Sequence, residues 1–453
     1  MPYGNPPPQP SPRAHRPAPG GAAAAPPRSA AVAVADLDLA GPDGPVLSCV
    51  PAPGGQDPGP GSVVYALVRL RGRPVGAVLT RVPPGAEPAE AIAAAYRAGP
   101  SAGAGAPAPA PAGVDPAAAP PRTTVVVATR ERAGRLGRAL TSLLAQDHPD
   151  FAVLVVDNAP ETRATRDLVT GPFAGRVGYV REPVPGLAAA HNRGLASLPP
   201  DVAAVAFTDD DVVADPHWLT ALTTPFADDP RLGCTTGLIL PARLGTPAQI
   251  LLESHGGFAK GFVPRLYDPA LPPADEPLFP FAAGSFGSGA NMAFRVSALR
   301  AVGGFDPATG TGTPARGGDD LYGFVRILAG GHHLRYTPDA LVWHHHRETW
   351  QDLRNQAFGY GAGLTAYLTA VLARRPALLP ALLARLPRGL AHARALTAPR
   401  SGGQGQAPAP WTHGAQSHPW PRSLSRLERR GMLYGPLGYL RARAAWRGRR
   451  RWS

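Results

Sequence analysis

Residues 202–211 read VAAVAFTDDD, an apolar run that closes on Asp209, Asp210 and Asp211. Such a run suits a strand covered on both faces, and its polar end then lies at the mouth of a sheet. Three adjacent carboxylates repel one another unless a cation sits among them, so the cluster reads as a divalent-metal site. A solvated acidic turn after a strand is the competing reading. The flanking sequence has to separate the two.

Upstream, TTVVVA (123–128) is a continuous β-branched run, Leu136, Leu140, Leu143 and Leu144 recur at helical spacing, and VLVVD (153–157) is a second buried strand. Strand, helix, strand at this spacing predicts a parallel crossover unit. VGYV (177–180) supplies a further strand and GLAAAHNRGLASL (186–198) a further helix before the three aspartates. An α/β fold follows, with the acidic turn at the carboxyl end of a strand, where open α/β sheets bind ligands.

Two of these strands end in polar residues: Thr129, Arg130, Glu131 and Arg132 after the first, Asp157 and Asn158 after the second. If the strands are adjacent, these groups face one crevice, and Asp157 can accept the imino proton of a pyrimidine base. A turn or helix N-cap would use the same aspartate. No glycine-rich phosphate loop follows the first strand, which argues against an NTPase or a nicotinamide enzyme. A hard cation such as Mg²⁺ or Mn²⁺, bridging carboxylate and phosphate oxygens, would meet diphosphate charge instead.

Composition sets the outer limits. With 57 prolines and 53 glycines in 453 residues, part of the chain cannot pack. Residues 1–29 are expected to be disordered and 98–121 to be a Pro/Ala linker; 398–422 are similarly biased. Between them lie a small accessory α+β segment at 30–97, with SVVYALVRL and VGAVLTRV as a hairpin and AEAIAAAYRAG as a helix, and a catalytic-sized body at 122–350. An amphipathic helical extension is expected at 351–397 and an Arg-rich tail at 398–453.

Cys49 and Cys234 are the only cysteines, which excludes a disulfide framework and a thiolate zinc cluster and points to a reducing compartment. No secretory leader and no run of roughly 18 to 20 apolar residues is visible, so a cytoplasmic protein, soluble or peripheral on the inner membrane face, is expected. From Leu372 to Ser453 there are sixteen arginines and one acid, Glu428, a balance of +15 against +13 for the whole chain. The basic end, interleaved with GLTAYLTAVLA and ALLPALLARL, fits a membrane surface better than nucleic acid, for which no motif is present.

Seven blocks in order, TTVVVATRER, VLVVDNAP, PGLAAAHNRGL, AFTDDDVVADPHWL, GSGANMAFRVSALRAVGGFD, GGDDLYGFVRILAGGHHLRYTP and VWHHHR, resemble the family-2 glycosyltransferases with the GT-A fold. The resemblance spans Thr123 to Arg347 and continues more weakly to Arg385. It implies a mixed, mostly parallel sheet flanked by helices, and a metal-dependent, inverting transfer of a sugar from a nucleotide-diphosphate sugar to a hydroxyl acceptor. By block, it places Thr129 and Glu131 beside the nucleotide, Asp157 on the base, and Asp209 and Asp211 on ribose and metal. Asp210 stands between them and could share the metal. Asp319 and Asp320 fall on the family's acidic pair, Asp320 at the base position and Asp319 where Glu is usual.

A carboxylate that takes a proton from an acceptor hydroxyl contributes typically ~10²- to 10⁴-fold. Two acids after Gly317 and Gly318 also suit the start of a helix, where capping and the helix dipole favour them. His344, His345 and His346 follow a strand-like ALVW; the resemblance implies that one of them completes the metal shell, with His344 and His346, which alternation puts on one face, as the candidate ligands. Ser288, Gly289 and Asn291 are expected to form a loop near donor sugar or acceptor. His191 stands where relatives commonly carry Arg.

Gln351 and Arg354 have the spacing of the acceptor-holding motif of processive synthases, but Asn355 replaces its Trp, so one-at-a-time transfer is expected. The acceptor is expected to be a lipid-linked or cell-envelope glycan. Two alternatives remain: a non-catalytic nucleotide-sugar or glycan-binding module, and a sugar nucleotidyltransferase, which should carry a Gly-rich, Lys-containing loop. Arg130 to Gly137 has no lysine.

Overall fold

Strands that are apolar on both faces have to be covered on both, and the computed structural model, which describes residues 31–99, 119–397 and 420–450, shows what covers them. The expected disordered stretch 1–29, most of the linker and residues 398–419 lie outside the described residues.

The first sheet contains β1 (Ala33–Leu39), β2 (Val46–Pro51), β3 (Val63–Leu70) and β4 (Arg73–Arg81) in the order β2-β1-β3-β4. The second comprises β5 (Thr123–Thr129), β6 (Phe151–Asn158), β7 (Val177–Glu182), β8 (Ala204–Asp209), β9 (Val212–Ala214), β10 (Leu232–Pro241), β11 (Arg265–Tyr267), β12 (Asn291–Arg295) and β13 (His333–His344). Its order is β11-β13-β10-β12-β8-β5-β6-β7, with β9 paired to β13. β8, β5, β6 and β7 are mutually parallel. β12 is antiparallel to both β8 and β10, so β10 and the parallel β13 point the same way as β5. Thr129, Asp157, Asp209 and His344, each last or next to last in its strand, therefore share one edge of the sheet.

The helices sit where the apolar spacing places them. Leu136, Leu140 and Leu143 of the helix Ala133–Leu143 pack on Val125, Val127, Val153 and Val155. The helix Leu187–Ala196 approaches β5 closely at Gly194, where an added Cβ would lie 2.5 Å from Val126 Cγ1. The expected mixed, mostly parallel sheet flanked by helices is present.

The accessory segment is an α+β unit, and it is more than a tethered neighbour. One face of its sheet packs on Ile92, Ala93 and Tyr96 of the helix Pro88–Ala98. The other face, through Val34, Tyr65 and Leu67, shares a core with Leu238, Leu240, Leu341 and Trp343 of the large sheet and with Ile250 of the helix Pro247–Ser254. Arg69 locks the seam with ion pairs to Asp36 at 2.8 Å and Asp215 at 2.7 Å.

The C-terminal segment differs from a solvated Arg-rich tail from residue 422 onward. There the helix Arg422–Arg450 lies along the helix Trp350–Arg374 and buries Leu424, Tyr439 and Ala442. Gly361 and Gly431 allow the approach, since a Cβ on either would run into backbone of the opposite helix. Buried Asp306 accepts from Arg374 Nε at 3.0 Å and from Tyr439 Oη at 3.1 Å, tying both helices to the body. Among the described residues no single helix is long and apolar enough to cross a membrane; Trp350–Arg374 and Pro376–Arg388 pass only together, across a bend of 116°.

Candidate active site

β8 ends at Asp209, and the chain turns through Asp210 and Asp211 into β9. β9 pairs antiparallel with the end of β13 in the register Val212↔His344, and that pairing carries His344 to the aspartates. Single ligand atoms of Asp209, Asp211 and His344 all lie within 4.8 Å of one another. His344 Nε2 is 3.3 Å from Asp211 Oδ1.

Charge distribution shows how strained the cluster is. Burial, reinforced by Asp211, pushes the Asp209 carboxyl up to about 6. Burial also opposes ionisation of Asp211, but His344, Arg347 and Arg132 outweigh it and hold that carboxyl well below the usual range. The same carboxylates raise His344 above its ordinary value against the effect of its own burial. Two carboxylates and one imidazole in a mostly buried pocket are a donor set that a hard divalent cation fits. Asp209, Asp211 and His344 would hold it.

Asp210 has a different duty. Its Oδ2 accepts from Thr129 Oγ1 at 2.6 Å and its Oδ1 from Arg132 Nη1 at 3.1 Å, so it ties β5 and the loop after it to the acidic turn. His346 also stands outside the ligand group: its Nδ1 faces His344 Nδ1 at 3.1 Å and its Nε2 faces Glu253 Oε2 at 3.0 Å. His344 and His346 do share a face, as alternation requires, but one lies behind the other.

A cleft of about 320 Å³ opens beside the cluster, lined by Thr129, Arg130, Arg132, Asn158, Asp209 and Arg347 among others. Asp157, next to the lining residue Asn158, is fully buried. Its Oδ2 accepts from Tyr179 Oη at 2.9 Å, and the Thr165 side chain also hydrogen-bonds the carboxyl. Burial pushes its carboxyl up, with Tyr179 opposing. Glu131 does not line the cleft. It is exposed on the rim, and its carboxylate accepts from the backbone amides of Glu161 and Thr162 and from Thr162 Oγ1, so it shapes the loop after β6.

The helix Asp319–Ala329 starts after Gly318, which caps it in the left-handed region without a side-chain cap bond. Asp320 instead turns toward the GSGAN loop, where its Oδ2 accepts from the Gly289 amide at 2.9 Å and its Oδ1 from Leu321 N at 2.8 Å. Burial and the neighbouring Asp319 push its carboxyl up to about 6, against the pull of those two amides. Asp319 faces inward, 3.3 Å from His191 Nδ1, and is 4% exposed. His191 is itself buried between Phe207 and Phe305, with ring centroids 4.7 and 5.1 Å away, so it reaches no diphosphate in the cleft. Its imidazole favours ionisation of both Asp209 and Asp320.

Asn291 proves to be a clasp of the sheet. Its side chain accepts from Trp218 Nε1 and donates to the carbonyls of Leu238 and Ala340. Gln351 bonds Asn355 on an exposed helix face. The arginines that crowd Asp211, namely Arg132, Arg135 and Arg347, each at 3.5 Å, carried no assigned role in the sequence reading. Arg347 directly after the three histidines was the available signal; Glu253, the partner of His346, gave none.

Residues 120–359 match the model of the family described as glycosyltransferase like family 2. The chain belongs to this family. A pre-mycofactocin glycosyltransferase of Mycobacterium tuberculosis is 32% identical over 240 residues, 52% of this chain and 46% of that protein. The succinoglycan biosynthesis protein ExoW of Rhizobium meliloti is 36% identical over 102 residues, 22% of this chain and 32% of that one. The aligned part thus spans about half the length of the mycobacterial relative or less. Among solved structures, a Pyrobaculum calidifontis mannosyltransferase in complex with GDP-Man and Mn²⁺ gives a TM-score of 0.45 at 20% identity, covering 72% of this chain and 88% of that chain. GalNAc-T7 with UDP, GalNAc and Mn²⁺ gives 0.40 at 18%, covering 57% and 51%. The matched stretch of this glycosyltransferase domain holds every cleft residue named above, from Thr129 to Arg347.

Proposed function

We propose that this chain transfers a sugar from a nucleotide-diphosphate sugar to a hydroxyl acceptor, inverting the anomeric centre and adding one sugar per encounter. The observation that carries this reading is the convergence of Asp209, Asp211 and His344 at the edge of a cleft also lined by Thr129, Arg130, Arg132 and Arg347. A divalent cation there, Mn²⁺ or Mg²⁺, would supply positive charge to a departing diphosphate. The arginines of the cleft would bind the phosphates, and the Asp157 carboxylate would accept from the base.

Asp320 is assigned the proton. As the acceptor oxygen bonds to the anomeric carbon and the bond to the diphosphate breaks, its carboxylate takes the hydroxyl proton. A group lifted to about 6 by burial is still ionised at neutral pH and more basic than an ordinary aspartate. Inversion follows from single displacement. Asp319, turned inward, would position the helix start and leave the acceptor to Asp320.

The acceptor is assigned to a membrane surface. Leu379, Leu383 and Leu386 on one helix, and Leu433, Leu437 and Leu440 on the last, stand exposed at i, i+4, i+7 spacing, with Leu433 at 84%. Arg429, Arg430, Arg441 and Arg443 share the second helix with a single acid, Glu428. Apolar rows flanked by arginine fit the anionic inner face of a bilayer, and a lipid-linked or envelope glycan there as acceptor.

The test is release of nucleoside diphosphate from a panel of nucleotide sugars with Mn²⁺, with and without membrane extract. Metal-dependent release that Asp320→Asn abolishes, and a product of opposite anomeric configuration to the donor by NMR, are expected. Binding of nucleotide sugar without turnover under all conditions would mean a binding module. Formation of nucleotide sugar from sugar phosphate and NTP would mean a nucleotidyltransferase.

A further inference from the structure

Behind His344 runs a line of buried polar side chains that the chemistry above does not use. His344 Nδ1 is 3.1 Å from His346 Nδ1, His346 Nε2 is 3.0 Å from Glu253 Oε2, and the Tyr65 hydroxyl hydrogen-bonds Glu253. Exposures are 8% for His344, 1% for His346, 5% for Glu253 and 2% for Tyr65. Polar groups this deep are costly unless each finds its partner, so four in a row signal a connected network.

The donors and acceptors admit a consistent assignment when His344 Nε2 offers its lone pair to the Asp209–Asp211 site. His344 Nδ1 then carries the proton and donates to His346 Nδ1. His346, an acceptor at Nδ1, must carry its proton on Nε2, which donates to Glu253; the Glu253 carboxylate also accepts from Tyr65. Each step fixes the tautomer of the next. The backbone is held as well, since Gln249 Nε2 donates to the His346 carbonyl at 3.1 Å and a capping box starts the helix Pro247–Ser254 that bears Glu253.

Tyr65 lies on β3, in the accessory sheet. A second contact comes from the same unit: Gly54, at φ +85°, backs onto the His345 ring so closely that an added Cβ would lie 2.7 Å from its Cε1. The accessory unit thus braces the histidine run at two successive positions, His345 through the loop after β2 and His346 through Tyr65 and Glu253.

We propose that Tyr65, Glu253 and His346 are positioning residues for the metal site, a relay through which the accessory sheet fixes the orientation and tautomer of His344. This rests on the metal reading above. It gives residues 33–81 a role in metal affinity, whereas a packing unit alone would contribute only stability.

The test is Mn²⁺ affinity of the full chain, read without substrate by loss of the free-ion EPR signal, on the parent and four variants. Glu253→Ala is expected to weaken binding about 10- to 100-fold, the usual effect of removing an outer partner of a ligating histidine. Tyr65→Phe should weaken it by a smaller factor. Glu253→Gln should stay near the parent, because its carbonyl can still accept from His346 Nε2. Asp306→Asn, which loosens the helix junction far from this line, should leave Mn²⁺ affinity unchanged while lowering Tm. If Glu253→Ala does not fold, Tyr65→Phe, which keeps the ring, decides. Parent-like affinity in Glu253→Ala or Tyr65→Phe overturns the relay alone, as does equal weakening by Asp306→Asn. A parent that binds no Mn²⁺ overturns the metal reading and the relay together.

Discussion

Replacing Asp320 by Asn should remove activity and make the protein more stable. An acid held at about 6 against an ordinary 3.8 destabilises the folded state at neutral pH, by an amount corresponding to about 3 kcal/mol at 1.36 kcal/mol per pKa unit. Because the residue as a whole is only partly buried, this is reduced to about 1 to 2 kcal/mol. The sign follows from linkage: between 3.8 and about 6 the folded state binds more protons than the unfolded one, so stability from this group is greatest below pH 3.8. It is lost as pH rises through 6. Asn carries no charge to desolvate and its carbonyl can still accept from Gly289 N.

Tm of Asp320→Asn at pH 7 is therefore expected to exceed that of the parent by about 2 to 4 °C, and the gap should close by about pH 4. Paired scanning calorimetry at pH 4, 5, 6 and 7, beside a turnover assay expected to fall ~10²- to 10⁴-fold, reads both halves. A Tm gap of the same size at every pH, or a lower Tm at pH 7, would refute the electrostatic reasoning; full activity would refute the role.

Other outcomes follow from single contacts. Asp157→Ala should leave metal binding intact and weaken nucleotide binding by about tenfold, the cost of one lost hydrogen bond to a buried charged acceptor, measured by calorimetric titration. Leu433→Glu with Leu437→Glu should abolish co-sedimentation with anionic vesicles while the parent binds less as salt is raised; neutral vesicles holding both equally would count against the surface. Gly361→Leu should lower Tm by many degrees or prevent folding, since its side chain has to displace the backbone at Glu428.

Much of the fold was legible because β5, β6 and β8 carry local signals, buried β-branched runs followed by polar ends. The meeting of Asp209, Asp211 and His344 was legible only through resemblance. What brings them together is the three-residue β9, too short for any periodicity, pairing with a strand over a hundred residues later. Asp210 and Glu131 illustrate another limit. Residue type fits them for a ligand site, but their carboxylates are already engaged by Thr129 and Arg132, and by Thr162, partners that spacing does not disclose. The helix Arg422–Arg450 was hidden by arginine bias. Its packing surface joins Leu424 to glycine, alanine and tyrosine, while Leu433, Leu437 and Leu440 stand exposed.

The two-faced burial of the accessory sheet has a consequence for the order of events during translation. β1 to β4 and the helix Pro88–Ala98 leave the ribosome before the large sheet and can close one face at once. The other face, Val34, Tyr65 and Leu67, has to wait for Leu238, Leu240 and Trp343, the last of these nearly three hundred residues downstream of Tyr65. For that interval an apolar sheet surface is bare on a nascent chain, an aggregation hazard of the kind that chaperones cover.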